Sequence, residues 1–337
     1  MSFNRLTPED FVVSSDSITS TLWTNGLIAL NDFYTSSVQE AGSSGDFYLN
    51  IFQIDPTTSG SEIQFAVSYG NKQGSGSVLY NQAVDGASPT RTTYGQYRTL
   101  VLGDENSDFM FGNVTSSDFW VISIDRTRYK QSLLPGSLTL HLTDPTNSSN
   151  IITLTDNSQI ASSIVFNDAG RVYQLVSGSE GNVYTTNNQY GYSPNSGSYG
   201  LFLPDISTLI LNPLALSESI NLEPSRPSNT DGLNYRALYN AISGSQYFRL
   251  NSQETISSDY IFIRVKNSEF NYTENPSYIS GSTGEIVFNS FINNPQTFPT
   301  TVGLYNDNNE LLAVAKLSRP LLKDFTKEAL IRVKLDF

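Results

Sequence analysis

Apolar residues recur at every second position in one short run after another, and this period constrains the fold more than any other feature of the chain. Residues 47–54 (FYLNIFQI) and 62–69 (EIQFAVSY) alternate in this way across a linker, 55–60, rich in turn-forming residues. Side chains in an extended strand point to opposite faces in turn, so period two marks half-buried strands. Further runs at 119–124, 137–143, 151–155, 163–166, 171–176, 208–211, 260–266, 284–289, 300–305 and 311–316 carry the same Val, Ile, Tyr and Phe enrichment. Gly, Asn, Ser and Pro separate them. The last run, 329–337, alternates strictly: Ile331, Val333, Leu335 and Phe337 share one face, and Arg332, Lys334 and Asp336 share the other. The expected class is mainly β, with antiparallel, sandwich-like sheets, a few short helices and long Ser/Asn/Gly-rich loops.

Three segments depart from period two. Tyr94, Tyr97 and Val101 form a helical stripe within 91–102, with Ser88 and Pro89 as cap and first turn. Leu233, Ala237, Leu238 and Ala241 form a second stripe within 231–242. Residues 14–35, with Trp23, Leu27, Leu30 and Tyr34, read as a third helix. Loops are expected at 187–198 and 223–230. This suggests an N-terminal arm with a helical segment (1–45), a β domain (46–222) and a C-terminal β domain (223–337). No fixed-period repeat is present, which argues against a solenoid or propeller.

Composition narrows the chemistry. The 337 residues hold no cysteine, which excludes disulfides, thiolate metal sites and a cysteine nucleophile. A single histidine, His141, excludes a multi-histidine metal centre. A net charge of −13 argues against nucleic acid as a partner, since a binder needs basic surface to displace counterions. No run is long and apolar enough for a spanning helix, and residues 1–10 lack the apolar core of a secretory leader, so a cytosolic, membrane-free protein is expected.

Local motifs give no catalytic signature. His141 lies among leucines at 138, 140 and 142 and is expected to face solvent or an interface with Thr139 and Thr143. Asp104, Asn106 and Asp108 open like a calcium loop, but the sixth and twelfth positions are Phe109 and Thr115 instead of Gly and Glu. An acidic turn is expected there, and a hairpin turn at 307–310. The Gly-rich stretch 70–77 lacks the ending of a phosphate-binding loop. No cofactor and no metal are expected. Two features suggest assembly. Arg126, Arg128 and Lys130 would share a face if the preceding strand continued, ready to dock on an acidic neighbour. Residues 316–337 carry a local charge of +3 in an otherwise acidic chain, and their final strand can complete its own sheet or extend a partner's.

Several blocks resemble a family of virion structural proteins from T4-like, contractile-tailed phages of marine and cyanobacterial hosts. They are 65–77, 94–102, 119–136, 169–173, 265–272, 300–317 and 323–337, spread over the chain from about residue 45 onward. The resemblance lies in recurring phrases and carries no catalytic motif. It implies a non-enzymatic particle component, first of all a baseplate wedge protein. It would be made in host cytoplasm, be present in several copies and contact other virion proteins through sheet edges, loops and termini. A neck or tail connector and a capsid decoration protein are alternatives within that class. A receptor- or glycan-binding tail protein or a depolymerase is the alternative outside it. Arg126, Arg128, Lys130, Ile331, Arg332, Val333, Lys334, Leu335 and Phe337 are the candidate partner-binding residues.

Overall fold

In the computed structural model, residues 4–35, 48–74, 90–185, 190–224 and 233–336 are described. About 40% of the chain is strand and 17% helix, so the fold is mainly β. It divides into two units, Ile18–Glu254 and a second formed by Met1–Ser17 with Thr255–Phe337.

The larger unit is built on one antiparallel sheet. Its main strands are β1 (Tyr34–Thr35), β2 (Leu49–Phe52), β3 (Ile63–Asn71), β4 (Asp118–Ile124), β5 (Thr139–Thr143), β6 (Ile151–Asp156), β7 (Gly170–Ser179), β8 (Gly200–Leu203), β9 (Thr208–Leu211) and β10 (Phe248–Arg249). They lie in the order β10-β5-β6-β7-β8-β9-β4-β3-β2-β1. The centre of the sheet is buried on both faces. Along β4, Trp120 and Ile122 enter one core while Phe119 and Val121 enter the other. In β8 and β9, Phe202, Leu209 and Leu211 join the first, and Leu201, Leu203 and Ile210 the second. Helices, not a second sheet, close these faces. Helix α1 (Thr90–Leu102) covers one with Tyr94 and Val101. Helices α2 (Pro213–Ile220) and α3 (Leu233–Ser245) cover the other with Leu216, Ile220, Leu238 and Ile242. Double coverage explains why 209–211 is a continuous apolar run and lacks alternation.

Specific polar bonds fix the helices that cover the first core. Trp120 is fully buried, and its indole Nε1 donates to the carbonyl of Asn234 at 2.8 Å, tying β4 to α3. Helix α2 starts on Asn212, whose side chain accepts from the Leu214 amide, with Pro213 in the first turn. This pair is a start signal readable in the sequence, although α2 and β8 were not among the expected elements. The Asp144 carboxylate accepts from Thr146, Asn147, Asn150 and the Asn221 amide, joining the β5–β6 turn to the end of α2.

In the smaller unit, Phe11–Thr21, Asn251–Val265 and Ala329–Asp336 are consecutive strands of a second sheet, with the unit boundaries falling inside the first two. Ile261, Ile331 and Val333 point from its inner face toward Leu304, on the hairpin Thr301–Tyr305 and Leu311–Lys316. Lys323 is fully buried beside this layer. Its Nζ donates to the carbonyls of Asn267 and Asp324 and to Asn271 Oδ1 at 2.9–3.1 Å, so all three ammonium hydrogens are used.

Three expectations are corrected. Residues 14–35 are not a helix: they contain most of the strand Phe11–Thr21, a short 3-10 turn Thr24–Gly26 and β1. The β-branched residues Val12, Val13, Ile18, Thr19 and Thr21 favour extended backbone, and the spacing of Trp23 and Leu30 arises from a chain that folds back, not from a helical face. Residues 284–289 form only an isolated bridge, Ile279 with Ile286, before the short helix Asn289–Asn293. The face carrying Thr139 and Thr143 is buried, with the Thr139 hydroxyl paired to that of Ser179. His141 is half-buried and stacked on Tyr247 at 4.6 Å, and burial lowers its pKa. The expected helices at 91–102 and 231–242 form as α1 and α3; Ser88 and Pro89 lie outside the described residues.

Candidate functional site

The basic segment after β4 does not continue as a strand. Asp125 caps a 3-10 turn, Arg126–Arg128, by accepting from the Thr127 amide and hydroxyl at 2.9 and 2.6 Å. The turn sends the three cations in different directions. Arg126 folds over the Tyr129 ring at 4.8 Å and donates to the Tyr129 carbonyl. Arg128 turns inward, pairs with Glu62 at 2.7 Å and donates to Thr24 Oγ1 at 2.6 Å. Its guanidinium is mostly enclosed, so this pair exceeds an ordinary surface bridge in structural weight. Lys130 remains exposed, while its backbone amide donates to Ser252 Oγ. The expected single row of charges is therefore absent.

Arg128, Tyr129 and Lys130 instead line an open cleft of about 420 Å³, with residues 20–25 and Glu62 opposite. Asn25 and Gly26 both take positive φ, 62° and 70°, reversing the chain after Trp23. That reversal brings Thr24 within reach of Gln64, whose Nε2 donates to Thr24 Oγ1 at 2.6 Å. Trp23 packs its ring on Phe248 at 4.9 Å, and its indole N–H has no acceptor among the described residues. The cleft is lined by the Lys130 ammonium, the Arg128–Glu62 ion pair and several hydroxyls, with no nucleophile paired with a base among them. Trp23, Thr24 and Glu62 had no sequence signature as cleft residues; they converge only because three distant turns meet.

The C-terminal candidates divide by face. Ile331 and Val333 are buried and Leu335 is partly buried, all against their own unit, so the strand completes its own sheet. It pairs antiparallel along 258–265, with Tyr260 opposite Lys334 and Phe262 opposite Arg332. Arg332 and Lys334 lie over the Tyr260 ring at 5.6 and 5.9 Å. Lys334 also pairs with Asp336 at 2.8 Å, which raises the lysine pKa and lowers that of the aspartate. Arg332 has no carboxylate partner among the described residues. Phe337 lies outside the described residues.

The other acidic motifs bind their own chain. Asp104 accepts from Asn106, Ser107 and the Ser107 hydroxyl, which makes the calcium-like opening an acidic turn after α1. Asn306 accepts from the amides of Asn308 and Glu310 and closes the hairpin turn. Asp156 accepts from Gly136 and Ser158, and burial pushes its carboxyl upward. Among the described residues, no cluster of three His, Cys, Asp or Glu side chains could hold a metal ion. Comparison with protein-family models, curated proteins and solved structures gave no match.

Proposed function

We propose that this chain is a structural component of a phage virion, in first place a baseplate wedge protein of a contractile tail, and that its smaller unit makes the assembly contacts. One observation carries this reading. Among the described residues of Met1–Ser17 with Thr255–Phe337, five hydrophobic residues are buried while fifteen large ones stand exposed, among them Val13, Val287, Phe298, Leu312 and Leu330. Where exposed large apolar side chains adjoin one another they make the kind of surface that contacts partners. The outer face of the hairpin is the clearest case of such exposure. Leu312 and Val314 point outward at 68% and 59% exposure, while the Ala313 and Ala315 face packs inward.

The resemblance to virion structural proteins spans both units, with 265–272, 300–317 and 323–337 in the smaller one, and supports the virion reading of the chain as a whole. An assembly role also needs no preorganised reactive pair, and the buried carboxylates Asp144 and Asp156 already accept hydrogen bonds from their own chain. Immunogold labelling of intact particles tests the proposal. Label at the tail tip is the expected result. Label over the head or neck would move the protein within the particle, and absence from purified virions by mass spectrometry would overturn the reading.

A further inference from the structure

The smaller unit's sheet has two outer strands, and their chemistry is opposite. Phe11–Thr21 borders it on one side and Ala329–Asp336 on the other. Natural edge strands are protected by brevity, lysine, proline or a bulge, because an open row of N–H and C=O groups invites another strand. Phe11–Thr21 is eleven residues long and contains neither lysine nor proline. Phe11 and Val13 alternate with Val12, so apolar side chains stand on both faces, at 45%, 73% and 50% exposure. Val13 is the most open of the three, while Phe11 and Val12 are about half covered.

Charge identifies the occupant. Asp16, exposed on this first edge, makes no salt bridge among the described residues, and within the chain its charge acts on Lys334 from a distance. Arg332, exposed on the opposite edge, likewise lacks a carboxylate. Lys334, beside it, is already engaged by Asp336. Two copies of a chain with net charge −13 repel in most orientations. Bringing the basic edge of one copy to the acidic edge of the next is an arrangement in which they attract. Pairing the first edge with itself in the register centred on Asp16 would set two aspartates opposite each other, which is unfavourable.

We propose that these two edges join copies of this chain head to tail, the Ala329–Asp336 strand of one copy adding beside the Phe11–Ser17 segment of the next. The inference rests on the assembly reading above and narrows it to a second copy as the partner. A contact between different patches is heterologous, so it propagates until the rotation closes into a ring. Backbone pairing supplies affinity, Val12 and Val13 lose their exposure, and Asp16 and Arg332 set direction.

Sedimentation of the full chain against concentration, at low and high salt, tests this with two exposed substitutions, Asp16→Arg and Arg332→Asp. Expected are association of the native chain beyond a dimer, weakening with salt, and at least tenfold weaker self-association of either variant. An equimolar mixture of the two variants should assemble, because each interface then pairs opposite charges, and the double variant should regain self-association. Circular dichroism checks that each variant is folded. A native chain that stays monomeric throughout overturns the inference. So does association that Arg332→Asp leaves unchanged, which would point to the first edge pairing with itself. Neither result alters where label falls on virions, so failure of this contact is distinguishable from failure of the virion assignment.

Discussion

The two units use the same strand chemistry and reach opposite degrees of closure. Residues 18–254 bury forty-four hydrophobic residues and expose sixteen large ones among the described residues, whereas the smaller unit buries five and exposes fifteen. The difference is one of coverage. In the larger unit α1 closes one face of the sheet and α2 with α3 the other, so successive residues of β4, β8 and β9 all find apolar surroundings. In the smaller unit a single hairpin covers one face, and only every second residue of Ala329–Asp336 is enclosed. Alternation yields a full core when both faces of the sheet are roofed and half a core when one is.

That contrast can be broken by core mutations read in a calorimeter. Trp120→Ala removes a fully buried ring and orphans the Asn234 carbonyl. It should cost about 4 kcal/mol and lower the transition of the larger unit. A transition belonging to the smaller unit should stay in place; if every transition moves together, the two units are one cooperative body and the comparison fails.

Lys323→Ala tests the other side. It strips the shared donor from three acceptors in the smaller unit, and leaving a buried acceptor unpaired costs roughly 1–3 kcal/mol. Faster proteolysis within 255–336, with 48–224 still protected, is the expected pattern. Equal protection in native and variant chains would show that this lysine does not hold the unit together.

A smaller, pH-dependent effect sharpens the account of the larger unit. The Thr146 hydroxyl above all, with the Thr146 amide and the Asn150 and Asn221 amides, holds Asp144 well below its ordinary value of 3.8. A carboxyl depressed in the folded state contributes stability above its unfolded pKa, and that contribution is lost as pH falls through the folded value. Asp144→Asn should therefore melt lower than the native chain at pH 7, with the gap narrowing only below about pH 4. A gap that is constant from pH 7 to pH 2 would assign the effect to shape and remove the charge from the argument.

Much of the fold was legible because local pattern and final burial agree where a strand or helix presents one face. Tyr94 and Val101 lie buried on α1, Leu238 and Ala241 on α3, and Ile331 and Val333 inside the terminal strand. Legibility failed where tertiary coverage overrode local signal. Trp23 and Leu30 belong to the main core but reach it by a reversal at Asn25 and Gly26, so their spacing imitates a helix. Arg126, Arg128 and Lys130 alternate in sequence, yet the Asp125 cap turns the chain and separates them, one onto Tyr129, one onto Glu62 and one into solvent. An Asp two positions before a Thr is a local capping pattern; its victory over strand propagation is not readable locally.

The sequence by itself determined the mainly β class, most strand positions, two of the helices and the acidic, cysteine-free chemistry that rules out thiolate sites. These follow from the period of side-chain projection and from side-chain inventories, both local properties. Only the tertiary structure decided that the first seventeen residues belong with the last eighty-three, that helices roof both faces of the large sheet, and that Phe11–Thr21 and Ala329–Asp336 become opposite edges of one small sheet. Those outcomes depend on contacts between distant segments, from some 64 residues apart for Val265 with Ala329 to more than two hundred for Phe11–Thr21 with Asn251–Val265, and no local pattern encodes which distant strand supplies the partner or which edge is left open.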